Sequence, residues 1–276
     1  MHNSPTAVIV LGMHRSGTSS VAGSLAVLGA CAPRTLMRPA EDNPKGFWES
    51  EVLTAFNDRL LAQGSSSWHD WRAFDWPAPG DAAAPFVAEA QIRVREEFGD
   101  AELIVLKDPR ICRFLPFWRD VLEGMGYRVV CISPLRAPAE VAASLMSRNK
   151  MSRSHALRLW LRHVLDAEYT SRDLPRLILP WTEYLADCRG QAPRIASALG
   201  INLDLDEASL IRLDDFLSPD LRRQTTVEAV PAMVGETFEI LSRIGRTVDE
   251  TAGQESLDRI RHSFNTVGAL FSDAPI

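Results

Sequence analysis

A loop that could bind an anion lies near the start of the chain, at positions 12–19, which read GMHRSGTS. An apolar run at 7–11 precedes it, and apolar residues at helical spacing follow it, at Val21, Ala22, Leu25 and Leu28. This order predicts a strand, a glycine-bounded loop and a helix. Backbone N–H groups in such a loop point into one concavity, and the helix dipole adds partial positive charge there. We therefore expect a socket for a phosphate or a sulfate.

The loop has the spacing of a nucleotide-triphosphatase P-loop, G-x-x-x-x-G-K-[ST], but Thr18 occupies the position of the lysine. That lysine clamps the β- and γ-phosphates in ATPases and kinases. We therefore expect this loop to hold a 5′-phosphate without ATP hydrolysis.

A second pair of residues suits another phosphate group. Arg136 comes just after an apolar run at 127–132, and Ser144 lies eight residues further on, within a helical pattern at 139–148. Arginine offers a planar fork of donors and serine adds a hydroxyl. The pair alone is a weak signal, and it becomes specific beside a P-loop that lacks its lysine.

The elements that must position these residues alternate along the chain. Apolar runs at 7–11, 102–106, 127–132 and 176–180 predict buried parallel strands. Helical patterns cover 50–61, 139–148, 154–169, 192–199, 227–243 and 256–270; in the third of these, Arg158, Arg162 and Asp166 fall on other faces than the apolar residues. This predicts a three-layer, P-loop-like α/β fold with a central parallel sheet flanked by helices, with its site at the carboxyl ends of the strands.

With these motifs in order, the chain resembles the PAPS-dependent sulfotransferases, where PAPS is 3′-phosphoadenosine 5′-phosphosulfate. In that family a strand–loop–helix of the form [KR]-x-G-T-[ST] binds the 5′-phosphosulfate, and the segment Arg15-Ser16-Gly17-Thr18-Ser19 matches it. The family's 3′-phosphate element, an arginine after a strand and a serine eight residues later, matches Arg136 and Ser144. The segments 43–49 (NPKGFWE) and 107–110 (KDPR) are similar to a bacterial branch of the family. The resemblance spans roughly residues 8–199.

The resemblance implies PAPS as the sulfuryl donor and adenosine 3′,5′-bisphosphate (PAP) as the product. It implies that Arg15 faces the leaving 5′-phosphate, with His14 and residues 16–19 around the donor, and that Lys107 lies near the sulfate. Glu49 is the expected general base, and Asp108 and His14 are the alternatives. Arg110 could contact a phosphate or the acceptor, or brace Asp108. No metal is expected, since cationic side chains can neutralise the leaving group.

The predicted reaction is sulfuryl transfer to an acceptor hydroxyl on a carbohydrate, a glycolipid or a secondary metabolite. Two other functions stay open. A P-loop nucleotide kinase would need a lysine at position 18 and a metal site. A non-catalytic module would bind the nucleotide tightly without transferring a group to any acceptor.

Composition limits the partners. The 276 residues are 46% hydrophobic and 24% charged, which is ordinary for a globular enzyme, and we expect one domain over 1–276. A net charge of −6 does not favour nucleic acid or an anionic membrane. No apolar run approaches a bilayer span and the N-terminus lacks a signal pattern, so the cytoplasm is the expected location. The four cysteines have no metal-type spacing and are expected to be reduced and buried or nearly so.

Two features have no assigned role. The stretch 65–85 carries Trp68, Trp71 and Trp76 without periodicity, and it is either a surface loop anchored by aromatic residues or a lid over the acceptor. Arg222 and Arg223 could close over the cofactor or be solvated.

Overall fold

The structure, a computed structural model, describes residues 4–41, 43–74, 83–217, 228–247, 251 and 253–271. Its sheet consists of β1 (Thr6–Val10), β2 (Leu103–Lys107), β3 (Arg128–Leu135) and β4 (Arg176–Pro180). All three pairings are parallel, and the strand order is β2-β1-β3-β4. Each of the four predicted strands is present, with ends that agree to within one residue except at the end of β3.

Eleven α-helices lie in the described residues. They are α1 (Thr18–Val27), α2 (Glu51–Gln63), α3 (Ala84–Phe98), α4 (Leu115–Glu123), α5 (Pro138–Asn149), α6 (Arg153–Thr170), α7 (Trp181–Ala186), α8 (Cys188–Leu199), α9 (Glu207–Phe216), α10 (Ala232–Ile244) and α11 (Gln254–Ala269). A 3₁₀ turn covers Pro109–Arg113. No helix among them is both long enough and apolar enough to span a bilayer.

The predicted helices correspond to α1, α2, α5, α6, α8, α10 and α11, with two differences. α8 begins at Cys188 because Asp187 caps it, accepting a hydrogen bond from the Gly190 N–H at 2.9 Å. α10 begins at Ala232, and position 227, where the pattern was predicted to start, lies outside the described residues. The patterns did not predict α3, α4, α7 and α9.

Helices cover both faces of the sheet because side chains alternate along each strand. Val8 and Val10 pack on one face with residues of α1, α8 and α9. Ala7 and Ile9 pack on the other face with residues of α2, α3 and α4. On that second face, α5, α6, α10 and α11 enclose a further apolar cluster around Leu135 and Ile178. The three-layer α/β fold with a central parallel sheet is thus confirmed.

The strand order fixes where a ligand can enter. The next strand along the chain, β2, pairs with one edge of β1, and β3 pairs with the other edge. In open α/β sheets the crevice lies outside the carboxyl ends of such neighbouring strands. The loop at 12–17 and the residues that follow β3 therefore meet at this crevice.

Candidate active site

The loop between β1 and α1 is tightly wound. Gly12 and Gly17 have positive φ angles of 140° and 92°, and Arg15 has a φ of 73°. A Cβ atom at Gly17 would come within 2.6 Å of the Trp181 ring, so only glycine fits at this position. Gly17 is also the N-cap of α1 and has no side chain to bond the first-turn N–H groups. The loop thus presents backbone donors at a helix N-terminus.

Two polar side-chain atoms of this loop are buried without a partner among the described residues. They are the Ser16 hydroxyl oxygen and Nε2 of His14. A buried polar group with no hydrogen bond is costly, and His14 lines the cleft, where a ligand would satisfy its Nε2. Together with the glycine cradle at Gly17, the loop fits an anionic group.

The two predicted anion motifs come together. Nε of Arg15 donates a hydrogen bond to the Ser144 hydroxyl at 2.8 Å, and Nη1 of Arg136 donates to the Arg15 carbonyl oxygen at 3.1 Å. Nε of Arg136 also pairs with the Glu140 carboxylate at 2.9 Å, one turn along α5. Sequence reasoning missed Glu140, which holds the guanidinium in orientation.

Lys107 and Glu49 form a buried ion pair beside the loop. Both residues are about 3% exposed, and their side chains are in direct contact. Nζ of Lys107 also lies 3.3 Å from the Ser19 hydroxyl and donates to the Phe47 carbonyl at 3.1 Å. Burial raises the pKa of Glu49, although the positive charge of Lys107 acts in the opposite direction.

Asp108 has a different environment. Its carboxylate accepts hydrogen bonds from the Asn57 amide at 2.8 Å and from both the backbone and the guanidinium of Arg110 at 3.0 Å. It caps the 3₁₀ turn at Pro109–Arg113. Arg110 in turn pairs with Asp58. Asp108 and Arg110 thus brace each other outside the residues that line the cleft.

His14 lines the cleft and packs edge-on against Trp68, with ring centroids 5.1 Å apart. Burial, together with the charges of Arg110 and Lys107, holds the pKa of His14 well below its usual value. The imidazole is therefore neutral at physiological pH.

These residues surround a cleft of about 600 Å³, within the range of small-molecule sites. All the predicted donor-site and catalytic residues except Ser16 line it, and Ser16 is buried in the loop beneath. Sequence reasoning did not assign a role to several other lining residues: Ser20, Glu41, Asn43, Pro44, Phe47, Ser147, Arg148, Lys150 and Trp181. A signal existed for Arg148, one helical turn after Ser144, and for Trp181, directly after β4.

The first part of the tryptophan-rich stretch, residues 65–74, is anchored to the protein interior. Arg113 donates to the backbone carbonyls of residues 70 and 72 at 2.6 and 2.7 Å, and Arg162 donates to that of residue 71 at 2.9 Å. Asp166 pairs with both arginines at 3.1 Å. We call Arg113, Arg162 and Asp166 the carbonyl clamp. Trp76, Arg222 and Arg223 lie outside the described residues.

The fold and the site together define an α/β protein whose P-loop-like loop carries arginine and threonine and lacks the nucleotide-triphosphatase lysine. No family model and no curated protein matches the sequence. Two sulfotransferases are among the similar solved structures.

The sulfotransferase domain of the Synechococcus PCC 7002 olefin synthase is 19% identical, with a TM-score of 0.49 over 89% of this chain and 96% of that one. Sulfotransferase STF1 from Mycobacterium tuberculosis is 15% identical, with a TM-score of 0.47 over 86% of this chain and 77% of that one.

Proposed function

We propose that this protein is a sulfotransferase that moves a sulfuryl group from PAPS to an acceptor hydroxyl and releases PAP. The observation that carries the proposal is the contact of Arg15 with both Ser144 and Arg136. It joins two anion-binding motifs, more than a hundred residues apart in sequence, in one cleft. A ligand with two separate anionic groups suits this arrangement.

The residues fit the donor at both of its charged ends. The N–H groups around Gly17 and the hydroxyls of Thr18 and Ser19, which line the cleft, would receive the 5′-phosphosulfate. Arg136 and Ser144 would receive the 3′-phosphate. The donor supplies an activated sulfuryl group on a phosphate leaving group, and the protein supplies positioning, charge and a proton acceptor.

The cationic side chains stabilise the charge that develops on the leaving phosphate. Arg15 lies in the loop itself, and Lys107 reaches the loop at Ser19. Ser144 holds Arg15, and Glu49 and the Phe47 carbonyl hold Lys107, so little reorganisation of these charges is needed. The proposed role of each is electrostatic, and positioning of the two reactants does the rest.

Glu49 is the proposed general base, which takes the proton from the acceptor hydroxyl. Among the described lining residues the carboxylates are Glu49 and Glu41; Glu41 is exposed, whereas Glu49 is buried. Asp108 does not line the cleft, and three donors occupy its oxygens. The raised pKa of Glu49 brings it nearer to the operating pH, which favours general-base catalysis. We propose a small-molecule or carbohydrate acceptor.

Nucleotide affinity tests the donor assignment. We expect PAP to bind much more tightly than AMP, because Arg136 and Ser144 meet the 3′-phosphate. Charge-assisted hydrogen bonds are worth about 1.5–3 kcal/mol, so Arg136→Ala should weaken PAP binding about ten- to a hundredfold and leave AMP binding nearly unchanged. Titration calorimetry measures both.

Arg153→Ala is the matched control, since Arg153 pairs with Glu228 at 3.1 Å and does not line the cleft. It should leave both affinities unchanged. Equal affinity of the wild-type protein for PAP and AMP would remove the basis of the proposal.

A further inference from the structure

Trp48 has an unusual backbone conformation beside the proposed base. Its φ angle is 59°, in the left-handed region, where a bulky aromatic residue is rarely found. Such a conformation costs free energy and persists only where the surrounding structure holds it. Trp48 does not line the cleft, whereas its neighbours Phe47 and Glu49 both do. The strained residue therefore lies directly between two residues of the site.

The groups on either side of Trp48 meet at the same ammonium. Nζ of Lys107 donates to the Phe47 carbonyl at 3.1 Å and contacts the Glu49 carboxylate directly. The Phe47 carbonyl also accepts a hydrogen bond from the Ser19 hydroxyl at 3.0 Å. A left-handed residue changes the direction of the chain. Here it lets a backbone oxygen and a side chain, two residues apart, point at one cation.

The indole of Trp48 is held between α1 and α9. Its Nε1 donates to the Lys45 carbonyl at 2.9 Å, and its ring packs edge-on against Phe216, with centroids 5.6 Å apart. Gly23 of α1 lies against both rings, since a Cβ atom there would come within 2.7 Å of the Trp48 ring and 2.2 Å of the Phe216 ring. The absence of a side chain at Gly23 makes room for the indole. These contacts supply the support that the strained backbone needs.

The chain is also fixed on the other side of Glu49. The Met37 N–H donates to the Glu49 carbonyl at 2.8 Å, and the Glu51 N–H donates to the Thr35 carbonyl at 2.8 Å. Ser50 is the N-cap of α2. With these residues held, the direction of the Glu49 side chain depends on the conformation of the residue before it.

We propose that Trp48 is a positioning residue for the reaction: its left-handed backbone, held by the indole between α1 and α9, directs the Glu49 carboxylate and the Phe47 carbonyl onto Lys107. The inference rests on the proposed function, in which Glu49 is the base. Trp48 acts through Glu49 and not on a ligand. Misplacing a reacting group by about 1 Å can lower a rate about 10²-fold, so this control of direction affects catalysis.

Two substitutions that both remove the indole separate the backbone from the ring. Asparagine tolerates the left-handed region, whereas β-branched valine is strongly disfavoured there. Trp48→Val should therefore displace Glu49 more than Trp48→Asn does. Trp48→Phe, which keeps a ring against Phe216, should displace it least. A role in apolar packing alone predicts the opposite order for asparagine and valine.

The environment of Glu49 can be measured without donor or acceptor. Carboxyl NMR of protein labelled with isotopic glutamate follows its ionisation, and its signal is the one missing in Glu49→Gln. Burial is the main cause of the raised pKa of Glu49, so a displaced carboxylate should titrate closer to the ordinary glutamate value, most of all in Trp48→Val. Ser65→Val is the matched control, since Ser65 has a φ of 52° and does not line the cleft. It should leave this titration unchanged even where it destabilises the protein.

Kinetics tests the link to catalysis. With PAPS as donor, Trp48→Val should lower kcat about ten- to a hundredfold, with PAP affinity much less affected. In the Glu49→Gln background the same substitution should cause no further loss, because it acts through Glu49. A general effect on structure would instead multiply the two losses.

Two results would overturn the inference. One is a Glu49 titration that Trp48→Val leaves at its wild-type position or shifts no further than Trp48→Asn does. The other is a loss of kcat in Trp48→Val that is equally large in the Glu49→Gln background. A wild-type protein that binds no PAP and transfers no sulfuryl group would refute the proposed function, and the titration would still decide whether Trp48 positions Glu49.

Discussion

The ionisation of a single carboxylate, that of Glu49, controls the proposed chemistry. Burial raises its pKa, the ammonium of Lys107 lowers it, and the negative charge of Asp108 raises it again, with burial as the largest effect. The net result is a base stronger than an exposed glutamate. Such a group accepts a proton from a hydroxyl more readily than an exposed glutamate does.

Replacing Glu49 tests its role directly. Glu49→Gln keeps the shape and removes the charge that accepts the proton. We expect kcat to fall about 10²–10⁴-fold, with PAP affinity nearly unchanged. Asp108→Asn and His14→Ala remove the alternative carboxylate and imidazole. The assignment is wrong if Glu49→Gln turns over at nearly the wild-type rate while one of these two is inactive and still binds PAP.

The pH dependence gives a second, independent test. A base acts only when deprotonated, so kcat/KM should rise with pH through a pKa above the usual glutamate value, because the pKa of Glu49 is raised. Lys107→Met removes the positive charge that lowers this pKa, so the acid limb should move to higher pH whatever happens to the maximal rate. A pH–rate profile measures both. An acid limb that stays in place in Lys107→Met, or persists in Glu49→Gln, would assign the titration to another group.

The sequence predicted the four strands of the sheet well because they are short, nearly continuous apolar runs. The end of β3 shows what such runs miss. Beyond Ile132 the strand no longer pairs with β1, and residues 133–135 pair only with β4. Pro134 lacks an N–H and fits where one side of the strand is unpaired. Because Ser133 and Pro134 interrupt the apolar run, the pattern did not predict the last three residues of β3.

The helices that were missed have physical reasons of the same kind. α3 begins at Ala84, inside a stretch predicted as a loop from its tryptophans and prolines, and only part of its apolar face is buried. α4 begins with Leu115-Pro116, and in the sequence a proline at this position resembles a helix-breaking residue, although it is well tolerated in a first turn. Both helices obtain their stability from packing against the sheet, which a local pattern does not contain.

Helical periodicity could not predict the carbonyl clamp. The pattern of α6 placed Arg162 and Asp166 on other faces than Leu157 and Leu161, where solvent contact is the ordinary expectation. In the structure Arg162 is 1% exposed, and Asp166 is buried as well. Their partners come from residues 70–72 and from Arg113, far away in sequence. Only the tertiary fold brings these groups together.

Removing the carboxylate of the clamp should destabilise the protein. Asp166→Ala leaves Arg113 and Arg162 buried without their counter-charge, which typically costs about 3–5 kcal/mol. Asp173→Ala is the control, because Asp173 pairs with Arg119 on the surface and its loss should cost at most about 1 kcal/mol. Chemical denaturation measures both free energies of unfolding. A cost for Asp166→Ala no larger than that of the control would show that the clamp is not coupled to folding.

The whole molecule combines an acidic exterior with a cationic cleft. A net charge of −6 weakly repels nucleic acid and other polyanions at long range, while the arginines and lysines of the cleft act over a few ångströms. The sequence predicted this combination for Arg15, Lys107 and Arg136, because strand ends and glycine positions mark their places. It did not predict Arg148 and Lys150, since the direction in which the end of a helix points depends on packing.

This charge distribution leads to a prediction about metal ions. Magnesium commonly neutralises phosphates in nucleotide-dependent enzymes, whereas here Arg15 and Lys107 already lie at the loop that would hold the leaving phosphate. We therefore expect transfer from PAPS, measured as PAP release, to persist in EDTA at its rate without chelator. The control adds NaCl to the same ionic strength, because salt alone screens the cationic cleft. A loss of activity in EDTA that Mg²⁺ restores and NaCl does not would contradict the role given to the two cations and favour a kinase-like reaction.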